Sequence, residues 1–168
     1  MTSILGAYWA DASPAFWLLA AALTGLAVVG VWLTAVDIRM HRLPNRIVLP
    51  SYPVAVLLLG AAAAVAGDWS RLGGMAGGAG LLWLGYFLVH RVYPAGLGFG
   101  DVKLAGVLGL YLGFVGWHTA WWGTLAGFLL AGLWGLLLIL ARKGNGATAF
   151  PFGPFMILGA VLALAGPG

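Results

Sequence analysis

Among 168 residues the chain carries only four acidic side chains, Asp11, Asp37, Asp68 and Asp101. Asp37 and Asp101 stand where long apolar stretches break into polar words: Asp37-Ile38-Arg39-Met40-His41-Arg42-Leu43-Pro44-Asn45 and Gly98-Phe99-Gly100-Asp101-Val102-Lys103. A carboxylate at the end of an apolar helix is costly in lipid and is by default a functional-site hypothesis. When two carboxyls lie close, like-charge repulsion keeps both from ionising together. The ionised one can draw a proton from water while its protonated partner donates to a scissile carbonyl, so that a peptide bond is hydrolysed without a covalent intermediate. Each residue also has a structural role open to it. Asp37 can be balanced by Arg39, His41 or Arg42, and Asp101 can serve as the N-cap of the helix that follows.

The elements that position these acids follow from composition. The chain is 62% hydrophobic and 7% charged, with a mean hydropathy of +1.02. That much apolar surface cannot be hidden inside a soluble domain of this size, so the solvent is largely lipid. Spanning the hydrocarbon takes roughly 20 apolar residues, and six segments are expected to do so: about 15–36, 48–66, 72–90, 102–119, 121–140 and 152–167. The first has Ser13 to cap it and Pro14 at an N1-like position. The turn between the fourth and fifth is confined to Gly116, Trp117 and His118, and the last is short with Pro and Gly at its start. The expectation is an all-α, polytopic membrane bundle forming a single domain over residues 1–168.

Short loops rich in Lys and Arg remain in the cytoplasm. With the N-terminus outside, the cytoplasmic loops hold Arg39, Arg42, Arg46, Arg91, Lys103, Arg142 and Lys143, which leaves Arg71 alone across the membrane. This places both termini outside and brings Asp37 and Asp101 to the cytoplasmic face, with Asp11 and Asp68 opposite. Trp117, Trp121 and Trp122 fall at the outer interface, where an aromatic belt is expected. Residues 1–16 contain no Lys or Arg, so the basic start of a cleavable signal is missing and the first apolar run is expected to be retained.

The formal net charge of +4 does not imply nucleic acid, because the basic residues are scattered among loops and form no stripe. The chain has no cysteine, which excludes disulfides, thiolate-zinc sites and a cysteine nucleophile. His41, His90 and His118 lack metal-ligand spacing and read as interfacial or structural; no cofactor is expected. Glycines recur at four-residue spacing, Gly73 with Gly77, Gly74 with Gly78, Gly109 with Gly113 and Gly123 with Gly127. Such stripes let helices approach closely, and are read as seams within this bundle, with dimerisation as the alternative. Pro44 and Pro50 are read as shaping the first cytoplasmic loop. The basic loops are expected to meet anionic lipid headgroups, and Lys103 to favour an Asp101 anion, contact phospholipid or set topology.

The stretch Gly98-Phe99-Gly100-Asp101-Val102-Lys103-Leu104 resembles the Gly-x-Gly-Asp intramembrane aspartyl proteases, and in its Lys two residues after the Asp it is similar to the type IV prepilin peptidases. Asp37 followed by Leu43-Pro44-Asn45 and Pro50 resembles that family's other aspartate motif, and Pro151-Phe152-Gly153-Pro154-Phe155 its proline-glycine segment before the last helix. Presenilin-type enzymes are less similar, since Val36 precedes Asp37 and a Pro-Ala-Leu segment is missing. The resemblance implies Asp37 and Asp101 as a catalytic dyad. Gly98, Gly100, Lys103, Pro44, Asn45, Pro151, Gly153 and Pro154 would support it, with Gly98 and Gly100 shaping the turn. It implies cleavage of the basic leader from prepilin or pseudopilin precursors at the cytoplasmic face. Members with N-methyltransferase activity carry a zinc-binding cysteine insert that this chain lacks, so a short, peptidase-only form is expected. By helix dipole, Asp101 at a helix start is expected to be the base and Asp37 at a helix end to hold the proton. The other readings are a small ion- or proton-coupled transporter using the two acids as cation sites, and a non-catalytic pilus-assembly scaffold.

Overall fold

The computed structural model describes residues 1–10, 14–94, 96–142 and 150–166. Ser13, Asp11 and Lys143 lie outside the described residues. Within them the chain is helical throughout: α1 (Thr2–Ala10), α2 (Pro14–Met40), α3 (Asn45–Val65), α4 (Ser70–Val92), α5 (Phe99–Val115), α6 (Trp117–Leu140) and α7 (Gly153–Ala165). Four of these, α2, α3, α4 and α6, are long and apolar enough to cross a membrane. At 27 residues, α2 measures about 40 Å from end to end.

Neighbouring residues give the direction of every helix. Gly74 and Gly78 of α4 abut Gly113 and Gly109 of α5 in reverse order, so these two helices are antiparallel. The same holds for α6 and α7, where Gly159 sits against Gly123 and Gly127, and for α2 and α5, where the Tyr111 hydroxyl donates to the Ala22 carbonyl at 3.2 Å. In contrast, α3 and α5 run in parallel, their starts joined by Lys103 and Asn45. One end of the bundle therefore gathers the ends of α2, α4 and α6 with the starts of α3, α5 and α7.

At the centre is α5, apolar on every side, with each residue from Leu104 to Phe114 buried. A helix that is hydrophobic all round belongs in a core. Around it, α2, α3, α4 and α6 leave large apolar side chains such as Trp17, Val31, Leu57 and Leu129 exposed, the inverse of a soluble protein and the arrangement lipid requires. Three glycine stripes do what their spacing implies: Gly74 with Gly78 meets Gly109 with Gly113, and Gly123 with Gly127 receives Gly159. A Cβ at Gly74, Gly78, Gly109, Gly113 or Gly159 would overlap the facing backbone, whereas Gly123 and Gly127 leave a Cβ only tight contacts of 3.0 Å or more. The remaining stripe departs from expectation, because Gly73 faces open space and Gly77 receives the Trp117 ring, 2.7 Å from where its Cβ would stand.

Other boundaries also move. The break between α5 and α6 is Gly116 alone, whose φ of 149° is one that residues with a side chain rarely adopt, so Trp117 and His118 belong to α6 and not to a turn. Pro50 lies inside α3, together with Pro53, and does not shape the loop. There the Ser51 hydroxyl donates to the Ile47 carbonyl at 2.8 Å, one of the ways a helix absorbs proline in lipid. Pro44 is the N-cap of α3. The nine-residue α1, with Ile4 and Tyr8 buried, was not anticipated from the sequence.

Candidate active site

Asp37 lies three residues from the end of α2, and Asp101 is the third residue of α5. Because α2 and α5 are antiparallel, both acids come to the same end of the bundle, where they line one cavity of about 240 Å³ with Leu43, Phe99 and the exposed His41 and Arg42. Each carboxylate is itself nearly covered, Asp37 at 5% and Asp101 at 8% exposure. Each is also within electrostatic reach of the other.

Both carboxylates are held by backbone. Gly98 N–H donates to Asp101 Oδ2 at 3.0 Å and Gly153 N–H donates to Asp37 Oδ2 at 3.1 Å. Asp101 is not the N-cap of its helix. Gly98 is the N-cap, and Asp101 at N3 reaches back to the cap amide, which is half of a capping box, the other half needing a side chain that glycine lacks. Each acid accepts one backbone amide, so hydrogen bonding does not tell the two apart. Lys103 contacts neither: its Nζ donates to Asn45 Oδ1 at 2.8 Å and lies 4.9 Å from the centre of the Phe99 ring. Among the described residues neither acid is ion-paired, and the one ion pair is Arg71 with Asp68 at the far end.

The glycines act through close approach rather than through unusual dihedral angles. Gly98 has an ordinary extended conformation, φ −72° and ψ 152°. At Gly100 a Cβ would stand 2.9 Å from Leu43 Cβ, and at Gly153 one would stand 2.8 Å from Asp37 Oδ2 and 3.4 Å from Leu43 Cδ2. Leu43 is thus wedged between the Gly-x-Gly-Asp turn and the proline-glycine segment, where the three sequence motifs converge. Pro151 precedes the start of α7, and Pro154 occupies its first turn, as its fixed φ and missing N–H favour. Its neighbour Phe152 packs on Tyr86 and Phe128, with ring centres 6.3 and 5.3 Å apart.

Sequence reasoning did not single out Leu43, Phe99, His41 or Arg42 as site residues; all but Phe99 lie in the loop word after Asp37, and Phe99 lies in the Gly-x-Gly-Asp word itself. His90 Nδ1 is 2.7 Å from the Leu97 carbonyl, and His118 Nε2 accepts the Trp122 indole N–H at 2.7 Å.

A pair of buried carboxyls lining one small open cavity, one in the last turn of a helix and one in the first turn of another, can divide acid and base roles on a single bound group. Both acids stand within a turn of a helix end, which is poor placement for a cation carrier that needs acids at mid-depth.

Comparison with known proteins agrees with this geometry. The type IV leader peptidase family matches residues 24–140, a span that contains both aspartates. A prepilin leader peptidase/N-methyltransferase of Aeromonas salmonicida (strain A449) is 34% identical over 155 residues, which cover 90% of this chain and 50% of the relative. One from Pseudomonas putida is 32% identical over 137 residues (79% and 45%), and one from Pectobacterium carotovorum subsp. carotovorum is 30% identical over 156 residues (88% and 53%). The chain spans about half the length of the curated relatives it matches. No solved structure matches it. With a family match over most of its length and both aspartates inside that match, the chain belongs to the type IV leader peptidase family.

Proposed function

We propose that this chain is a membrane-embedded aspartic endopeptidase that removes the basic leader from prepilin or pseudopilin precursors, with Asp37 and Asp101 as its catalytic residues. The observation that carries this reading is the convergence of the two carboxyls on one cavity, each held by a single glycine amide. In the proposed reaction Asp101, in the first turn of α5, takes a proton from water as it attacks the scissile carbonyl carbon. Asp37, in the last turn of α2, gives its proton to the carbonyl oxygen. As the tetrahedral gem-diol collapses and its C–N bond breaks, Asp101 gives the proton it took to the leaving amine and Asp37 recovers one from a gem-diol hydroxyl, which returns both carboxyls to their starting states. The two carboxyls titrate as a pair, so these roles describe one microstate of the dyad.

The membrane orientation belongs to the same proposal. Arg39, Arg42, Arg46, Arg91, Lys103 and Arg142 all fall at the dyad's end of the bundle and Arg71 at the other, which by the positive-inside rule supports a cavity facing the cytoplasm. Co-expression with a candidate prepilin tests the reading by a gel shift on leader removal. Wild type shortens the precursor, and Asp37→Asn and Asp101→Asn, which keep side-chain volume but cannot ionise, leave it full length. A precursor that stays intact with wild type would count against the proposal.

A further inference from the structure

We propose that Lys103 is a positioning residue of the dyad, pinned by Asn45 and the face of Phe99 so that the Asp101 turn is held against the α2–α3 loop. This inference rests on the peptidase reading. Both ends of residue 103 are fastened to α3. Its ammonium donates to Asn45 Oδ1 at 2.8 Å, and its backbone carbonyl accepts the Tyr52 hydroxyl at 2.7 Å. Tyr52 in turn packs directly on Gly106, leaving no space for a side chain there. The underside of the ammonium is covered by the Phe99 ring, which lines the cavity.

Asn45 opens α3 immediately after Leu43 and Pro44. Fixing Asn45 to α5 therefore fixes the seat of Leu43 between Gly100 and Gly153, and Gly153 N–H is the donor to Asp37. The path from Lys103 to both acids is short: two residues along the start of α5 to Asp101, and through Asn45, Leu43 and Gly153 to Asp37. Two competing roles for Lys103 make different demands. A cation tuning the acids needs no Asn45, and a topology-setting charge needs neither Asn45 nor Phe99.

The experiment is a steady-state assay of purified protein in lipid vesicles on a synthetic leader-bearing peptide. It compares wild type, Lys103→Met, Asn45→Ala, the double variant, Asn45→Asp and the inactive Asp101→Asn. Displacing reacting groups by about 1 Å costs on the order of 100-fold, so Lys103→Met and Asn45→Ala are each expected to lower kcat about 10-fold or more with KM little changed. The double variant should be no slower than the slower single, because one interaction is broken in all three. Asn45→Asp, which keeps the acceptor, should recover most of what Asn45→Ala loses, and the pH profile of Lys103→Met should keep its shape. Multiplying losses, a near-normal Asn45→Ala, or a Lys103→Met variant whose pH profile moves would each overturn the positioning role while leaving the peptidase intact. No cleavage by wild type would sink the peptidase reading and this one with it. Should Lys103→Met fail to fold by thermal unfolding in detergent, the Asn45→Ala and Asn45→Asp pair decides alone.

Discussion

The two ends of this bundle treat aspartate in opposite ways. At the α3–α4 end, Asp68 is neutralised: Arg71 lies 2.6 Å from its Oδ2, and the Ser70 hydroxyl donates to Oδ1 at 2.7 Å. Arg71 then spends a second donor on the Phe114 carbonyl at 2.8 Å, closing the C-terminal end of α5. At the other end of α5, Asp101 and Asp37 have one glycine amide each and a cavity in front of them. The same side chain is a fastening where a cation covers it and a reagent where backbone alone holds it. The central helix is thus tied down at one end and chemically poised at the other.

The largest effect expected from this contrast comes from exchanging the acids. Asp37→Asn or Asp101→Asn should lower cleavage about 1000-fold, within the range of general acid–base contributions, with the folded protein still recovered. Asp68→Asn should leave cleavage within about twofold, since surface-accessible ion pairs contribute at most about 1 kcal/mol. Next in size is Gly153→Ala, whose new methyl would stand 2.8 Å from Asp37 Oδ2 and displace the carboxylate from its amide. A 10- to 100-fold fall in kcat, roughly the cost of such misplacement, is expected with little change in thermal unfolding.

In the glycine seam the order of effects reverses. Gly78→Val forces α4 away from α5, where the Cβ would stand 2.8 Å from Gly113 Cα. A loss of about 1–3 kcal/mol, typical of overpacking, should appear first as a lower unfolding temperature in detergent and only then as lower activity. The smallest effect on stability is Arg71→Met, about 1–2 kcal/mol from one charged hydrogen bond and a half-buried ion pair, read by the same melt. A cleavage loss in Arg71→Met larger than its stability loss explains would break the division between the two ends.

The acids were legible in the sequence because polar words stand out in so apolar a chain, and Asp37 and Asp101 fell at matching ends once charge had been counted. Three of the glycine stripes were legible as seams, but which stripe meets which is a matter of helix direction and depth that spacing alone does not carry. Gly77 shows the limit, since its partner is the Trp117 ring from α6. Helix starts were less legible: α3 begins at Asn45 and simply continues through Pro50 and Pro53, which local propensity argues against. The nine residues of α1 are too few for a ruler set by membrane thickness. The role of Leu43 and the pairing of Lys103 with Asn45 were beyond reach for one reason: both join segments more than 50 residues apart.

The central claim is that Asp37 and Asp101 work as one unit on one bond. The most direct measurement compares cleavage rates of wild type, Asp37→Asn, Asp101→Asn and the double variant, all purified into the same lipid and given the same leader-bearing peptide. Groups that act together are strongly non-additive, so the account predicts that both single variants and the double fall to one common floor. Cleavage in either single variant well above that of the double, or a double variant slower than either by the product of their separate losses, would contradict it.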